Sequence, residues 1–298
     1  MQNDEAYFHT PVLLQEVIDY LNVKPGKRFI DATLGGGGHT KEIIRSGGEV
    51  LGIDQDPQAI EYVRQHLHME LPAGLAGCFT LVRGNFKDIA LIAQRHEFTN
   101  VDGIIMDLGV SSFHLNASKR GFTFRRDEPL DMRMDPLTKI SASDIINSYP
   151  ERKLYEIFAR FGEIQLAEQL ANHIAVARGI TPITTTGQLV SLIEQLMSHR
   201  PGKIHPATLV FQALRIETNQ EFKNLKEGLA GAIEILAPKG RLVVISFHSG
   251  EDRIVKLFMR NEEVLEPLFN DPLRPTENEI ATNSRARSAR LRVAEKII

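Results

Sequence analysis

Along the first hundred or so positions, short apolar runs alternate with stretches whose apolar residues recur every three or four places. Arg28-Phe29-Ile30-Asp31 follows Pro25-Gly26 and leads into a glycine cluster, and residues 49–54 (EVLGID) end in an acid just before Pro57. Phe79-Thr80-Leu81-Val82 is a third run, and residues 101–107 (VDGIIMD) are a fourth, again ending in Asp. Such runs read as buried strands, with helical stretches between them, notably 57–71 with proline in the first turn. This alternation predicts a parallel sheet wrapped by helices. A fifth run, 241–247 (RLVVISF), follows a long helical pattern over 220–236 that stops at Pro238-Lys239-Gly240.

Between the fourth and fifth runs lie about a hundred residues of different texture, too long for a loop inside a compact domain. Leu154, Ile157, Phe158 and Phe161 fall at i, i+3, i+4 and i+7; Leu189, Leu192, Ile193 and Leu196 repeat that spacing, and Leu166, Leu170 and Ile174 recur every fourth residue. Each set predicts an amphipathic helix, punctuated by Pro150, Gly162, Gly179 and Gly187. The expected organisation is a Rossmann-like α/β sheet domain formed by residues 1–112 and 206–298, with an all-helical domain inserted at 113–205.

The 298 residues are 42% hydrophobic and 24% charged, ordinary values for a globular chain and unlike those of a disordered one. No stretch approaches the ~20 apolar residues of a membrane helix. The start, MQNDEAYFHT, has neither the basic nor the apolar region of a secretory signal, so the expectation is a cytoplasmic protein. A net charge of −3 excludes a chain blanketed in positive charge, but leaves room for a nucleic-acid enzyme with local basic patches. The single cysteine, Cys78, excludes a disulfide framework and a cysteine-rich zinc site. Lying before the third strand, it faces away from the strand ends. It reads as a buried structural residue rather than a catalytic thiolate.

Candidate chemistry starts at residues 31–39 (DATLGGGGH), between strand one and a helix. Glycines at such a turn let the backbone approach a ligand and aim free N–H groups at it. Asp54 closes strand two about 20 residues on, where a carboxylate accepts from ribose hydroxyls. The third glycine of a dinucleotide site is missing, because Thr40 or Lys41 stands there. Asp31 would also repel a pyrophosphate. A cationic, phosphate-free nucleoside fits better, and S-adenosylmethionine is the obvious one; the plainer reading is a turn that merely connects. Asp31, Asp54, Asp107 and residues 246–249 (SFHS) should share one sheet edge, with Gly37 and Asp107 as neighbours across the switch point. Any one of these acids alone reads as a helix cap or a solvated loop residue.

Seven segments then occur in order: residues 9–17 (HTPVLLQEV), 31–40 (DATLGGGGHT), 107–112 (DLGVSS), 120–135 (RGFTFRRDEPLDMRMD), 205–219 (HPATLVFQALRIETN), 240–253 (GRLVVISFHSGEDR) and 285–296 (RARSARLRVAEK). Over nearly its whole length the chain resembles the MraW-type cytosine N4 methyltransferases, the ribosomal RNA small subunit methyltransferase H family. The resemblance implies a class I S-adenosylmethionine-dependent methyltransferase with an inserted helical substrate domain. It implies methylation of the exocyclic amine of a decoding-centre cytidine in 16S ribosomal RNA, with the small ribosomal subunit as partner, no membrane, and a homodimer left open. Carried over, the cofactor contacts fall on Gly37, Gly38, His39, Asp54, Phe86 and Asp107. His114 stands where the family has a contacting glutamine, Glu128 where it usually has glycine, and Gly250 where it usually has leucine.

Methyl transfer from a sulfonium needs alignment, but neither a metal nor a covalent enzyme intermediate. The cytosine amine is a poor nucleophile until an acceptor draws on its N–H groups, and Asp107 or the Leu108 carbonyl is placed for that. His248 either contacts the target base or phosphate or orients its own loop. Asp131 and Arg133 either lock their loop or touch substrate. Arg285, Arg287, Arg290 and Arg292 read as phosphate contacts to RNA, against the plain alternative of a solvated charged face. Lys119, Arg120, Arg125 and Arg126 interleave with Phe122 and Phe124, rings that either stack a base or fill the helical core. Other functions weighed are a non-catalytic RNA-binding ribosome-assembly factor, a methyltransferase for another RNA or a small molecule, and a nicotinamide oxidoreductase, which the missing glycine disfavours.

Overall fold

The five apolar runs pair as parallel strands in the computed structural model, which describes residues 11–75, 77–111, 115, 118–197 and 205–298. They are β1 (Arg28–Asp31), β2 (Glu49–Asp54), β3 (Phe79–Arg83), β4 (Val101–Asp107) and β5 (Leu236–Ser246), joined by β6 (Leu265–Pro267) and β7 (Arg290–Lys296). Among the described residues they make one seven-stranded sheet in the order β3-β2-β1-β4-β5-β7-β6, with β7 antiparallel to β5 and β6. This is the helix-wrapped α/β sheet that the alternation of runs predicts, extended by β7 and β6.

The chain divides into two compact units, residues 1–111 with 222–298, and residues 112–221. In the first, successive strand residues point to opposite faces of the sheet. Ile30, Ile104 and Met106 therefore join one buried cluster, and Phe29 and Ile105 the other. With helices over both faces, β4 is apolar almost throughout, as a two-sided buried strand must be. Its two acids lie at its ends: Asp107 closes the strand, and Asp102, near the amino end, pairs with Lys27 at 2.7 Å. The helix Pro57–Glu70 starts where the sequence predicts, with Pro57 in the first turn and the Asp56 carboxylate accepting from the Gln58 N–H.

Two strands were not anticipated. β7 begins with Arg290 and Arg292, the last two members of the predicted RNA-binding arginine run, and β6 is only three residues long. β5 also begins earlier than expected. Leu236 pairs with Val101 and Arg241 with Gly103, so the Pro238-Lys239-Gly240 break is a register irregularity within the strand rather than a turn before it.

The second unit contains the helices Ala142–Ser148, Glu151–Phe161, Ala167–Ile180, Thr186–Leu196 and Pro206–Asn219. The predicted stripes face its core: Leu154, Ile157, Phe158, Leu170, Ile174, Leu189 and Ile193 are buried. Pro206–Asn219 was expected to belong with the sheet, but it packs on the helices Ala142–Ser148, Glu151–Phe161 and Thr186–Leu196 of this second unit. Gly187 is no terminator: it lies in the first turn of its helix, where a Cβ would come within 2.8 Å of Asp127 Oδ1. No described helix is long and apolar enough to cross a membrane.

Candidate active site

Asp31, Asp54 and Asp107 end β1, β2 and β4, and parallel pairing puts them on one edge of the sheet. The strand order reverses between β1 and β4, so this edge is the crevice where such sheets bind ligands. What each acid does there differs.

Asp31 turns inward. Its carboxylate accepts from the Thr40 hydroxyl at 2.7 Å and from the Thr33 N–H at 3.2 Å, which ties strand β1 to the helix Gly38–Arg45. Burial raises its carboxyl to about 6, against the opposing pull of those hydrogen bonds. Asp54 holds the glycine turn: Oδ2 accepts from the Gly35 N–H and Oδ1 from the Asp56 N–H, both at 2.8 Å. A carboxylate has further lone pairs, so these bonds leave capacity for a hydroxyl donor.

Asp107 is the acid with capacity to spare. Its Oδ1 is shielded from solvent and has no hydrogen-bond partner among the described residues. Burial pushes the carboxyl up to about 6, with His39 and Arg285 pulling it down and Asp31 and Glu251 pushing it further up. Its own N–H donates to the Thr33 hydroxyl, so the glycine turn and the end of β4 are in direct contact.

The glycines divide the work. Gly35 has φ +49°, and a Cβ there would meet only the Thr33 carbonyl, at an uncrowded 3.8 Å, the geometry of a backbone that a ligand can approach. Gly37 (φ +75°) and Gly38 serve packing, since added Cβ atoms would come within 3.0 Å of Val63 and 2.9 Å of Pro11. His39 is buried, and one ring nitrogen, Nε2, lies 3.1 Å from the Val12 carbonyl. Such a bond places the proton on Nε2. Phe86 follows β3, packs against the sheet core, and fills the space that a Cβ on Gly228 would need. His114 lies outside the described residues.

The remaining predicted residues sort by surroundings. His248 caps the helix Ser249–Asn261: its Nδ1 accepts from the Glu251 N–H, while the Glu251 carboxylate accepts from the N–H groups of Phe247 and His248. The loop-orienting reading of His248 thus has a concrete geometry. At the Gly250 position, a Cβ would come within 2.5 Å of the Phe222 ring, so that ring takes the place of a side chain there. Cys78 is half-buried rather than buried, just ahead of β3 on the edge opposite the acids.

The arginine run does not form one basic face. Arg292 is buried and forks onto Asp252 at 2.6 and 3.2 Å, with a third bond to the Asn270 carbonyl. Arg290 approaches the same carboxylate at 3.5 Å. Arg285 is half-buried and donates to the Val110 carbonyl. Arg287 is exposed. Spacing alone could not separate these; the period-two alternation of Arg290, Leu291, Arg292 and Val293 was the available signal for a strand.

In the second unit, Arg120 is spent on the carbonyls of Arg133 and Met134, and Arg133 forks onto Asp131 at 2.6 and 2.8 Å, which locks that loop. Phe122 is buried and belongs to the core, and Phe124 is half-buried, packed on His205 and Phe211. Arg125 and Arg126 are exposed; Arg126 pairs with Glu128 at 3.1 Å. The buried Glu128 also accepts from the Gly121 N–H at 3.0 Å, which gives this acid a structural task where glycine is usual.

The sequence model of the MraW methylase family matches residues 6–297. A protein of Carboxydothermus hydrogenoformans called ribosomal RNA small subunit methyltransferase H is 44% identical over 314 residues, covering 98% of each chain. One of the same name from Deinococcus deserti is 44% identical over 294 residues, covering 99% of this chain and 95% of its own. With the class I sheet and its acidic strand ends, a match of this extent makes the chain a member of the MraW methylase family.

Proposed function

We propose that the chain methylates the exocyclic N4 amine of a decoding-centre cytidine in 16S ribosomal RNA, acting on the small ribosomal subunit. A methylase of this family and fold uses S-adenosylmethionine, and the names of the relatives point to small-subunit ribosomal RNA as the target. One observation carries the site assignment: a shielded carboxylate oxygen, Asp107 Oδ1, has no hydrogen-bond partner among the described residues, at the strand edge beside the glycine turn. A buried acceptor left unsatisfied is costly unless a ligand donor completes it.

The donor set suits a cationic nucleoside. Asp54 accepts from ribose hydroxyls while it fixes Gly35; Gly35 lets the backbone come close, and Phe86 borders the far side of the same edge. When bound, S-adenosylmethionine supplies an electrophilic methyl group on a positively charged sulfur. Asp107 then accepts a hydrogen bond from the incoming amine. That draws electron density onto nitrogen, stabilises the positive charge as the N–C bond forms, and gives the departing proton a place to go. For RNA, the exposed Arg125, Arg126 and Arg287 serve as phosphate contacts, whereas Arg292 does not. The non-catalytic alternative gains nothing from a catalytic-edge carboxylate kept without a partner.

The reading is tested by mass mapping of modified nucleosides in small-subunit RNA from cells lacking this gene. Complementation with the wild type should restore a single N4-methylcytidine, and Asp107→Ala should not. A different methylated nucleoside, or full restoration by Asp107→Ala, would overturn it.

A further inference from the structure

The helix Ser249–Asn261 sorts its charges by face. Its two acids are spent inside: Glu251 is buried in the capping bonds to Phe247 and His248, and Asp252 holds Arg292 at 2.6 Å. Val255 and Met259 join the sheet core. The outer face carries one sign of charge, since Arg253, Lys256 and Arg260 are exposed and no acid of this helix is. At 3.6 residues per turn the three fall within an arc of roughly 60° and along about 10 Å of axis. Two other helices mix the signs: Glu221–Ile235 exposes Lys223 and Lys226 beside Glu227 and Glu234, and Glu151–Phe161 exposes Arg152 and Lys153 beside Glu151 and Glu156. Helix stability does not explain the stripe. Like charges at i,i+3 and i,i+4 repel, and only Arg260 lies in the last turn, where a cation suits the helix dipole. Lys256 and Arg260 form no ion pair among the described residues.

The location of the stripe points to its partner. The helix starts three residues after β5, whose Ile245 pairs with Asp107 and accepts from the Leu108 N–H at 2.9 Å. Its first turn therefore stands at the acid-bearing edge of the sheet, and Arg253, Lys256 and Arg260 lead away from that edge in order. The exposed Arg287 is at the same edge, three residues before Arg290, which pairs with Ser246. An extended polyanion with one unit held at the edge would run its charges past these cations, and RNA is such a chain. A membrane surface fits less well, because the apolar face of the helix is already spent on the sheet and Leu257 is the one large apolar side chain it exposes. We propose that Arg253, Lys256 and Arg260 form a track for the RNA backbone, along which the strand that carries the target nucleotide runs from the Asp107 edge. The inference deepens the functional reading above and rests on it for the identity of the RNA.

The test follows binding of the labelled full chain to small ribosomal subunits from cells lacking this gene, by fluorescence anisotropy over a salt series. Each phosphate contact adds about 0.7 to 0.9 to the slope of log affinity against log salt. The triple variant Arg253→Gln/Lys256→Gln/Arg260→Gln should bind more weakly and lower that slope by about 2 to 3, each single change giving about a third of the drop. Its urea unfolding should match the wild type, because all three side chains are exposed. In methyl transfer it should raise KM for the subunit far more than it lowers kcat. Lys223→Gln/Lys226→Gln, on a mixed face, should leave the slope as it is. A wild-type slope in the triple variant, or an equal drop per residue in the Lys223 and Lys226 pair, would overturn the proposal. So would a triple variant that lost binding to phosphatidylserine vesicles while its slope with subunits stayed wild type, which would make the stripe a membrane contact. A wild-type chain that used the stripe to bind subunits yet left their RNA unmodified would instead end the functional reading, with the track still standing.

Discussion

The N–H of Asp107 donates a 2.6 Å hydrogen bond to the hydroxyl of Thr33, so the two loops that flank the switch point are held as one piece. β1 and β4 are already neighbours in the sheet, but pairing ends with Ile105 opposite Asp31, and beyond it this side chain takes over. The Asp107 carboxyl and the glycine turn thus keep a fixed spacing before any ligand arrives, as alignment of two reactants would demand.

Thr33→Val keeps the shape and removes that acceptor. The stranded Asp107 N–H should cost about 1–3 kcal/mol of stability. Thr33→Ser should recover most of it. Urea unfolding of the three proteins checks this, and equal stability of Thr33→Val and wild type would show that the bond does not hold the loops.

Gly35→Ala and Gly37→Ala both place a side chain in the left-handed region, at roughly 1–2 kcal/mol each. Only at Gly37 does the new methyl also crowd Val63, at 3.0 Å, so Gly37→Ala should be the less stable protein and Val63→Ala should relieve it in part. Gly35→Ala should instead lose more affinity for S-adenosylmethionine than its stability loss explains. Thermal unfolding beside isothermal titration calorimetry separates the two, and the reverse ranking would refute the division of labour.

How legible were these features in the sequence? β1 to β4 were readable because each is a short apolar run, and the acids that close β1, β2 and β4 are local information too. β7 left one local trace, the alternation of Arg290, Leu291, Arg292 and Val293; that its arginines find their partner in Asp252, some forty residues away in the chain, no local pattern reports. The same holds for the helix Pro206–Asn219, whose stripe says that it buries a face but not against which unit. The roles of Asp31 and Asp54 were half legible: their position at the strand ends follows from the pattern. That Asp31 closes on Thr40 while Asp54 grips Gly35 depends on side-chain directions fixed only by packing.

His248 as a helix cap leads to a contrast between two variants. Asparagine supports the same capping bond, so His248→Asn should stay folded and active, whereas His248→Ala should lose about 1 kcal/mol. Methylation falling a hundredfold in His248→Asn with unfolding unchanged would place the ring on the substrate instead.

Arg292 and Arg287 should part ways as well. Breaking a buried ion pair by Arg292→Ala should cost about 3–5 kcal/mol. Arg287→Ala should leave unfolding unchanged and lower the dependence of RNA affinity on salt by about one phosphate contact. Filter binding across a salt series together with urea unfolding reads both, and a strong salt effect from Arg292 in a stable protein would restore the view of the run as one basic face.

The most direct measurement is a crystal structure of the chain with S-adenosylhomocysteine and cytidine monophosphate. The ribose of the first ligand should meet Asp54 above the turn at Gly35, and the cytosine amine should lie within hydrogen-bond reach of Asp107 Oδ1. Either ligand bound away from the strand edge, or an Asp107 carboxylate that touches neither, would contradict the account.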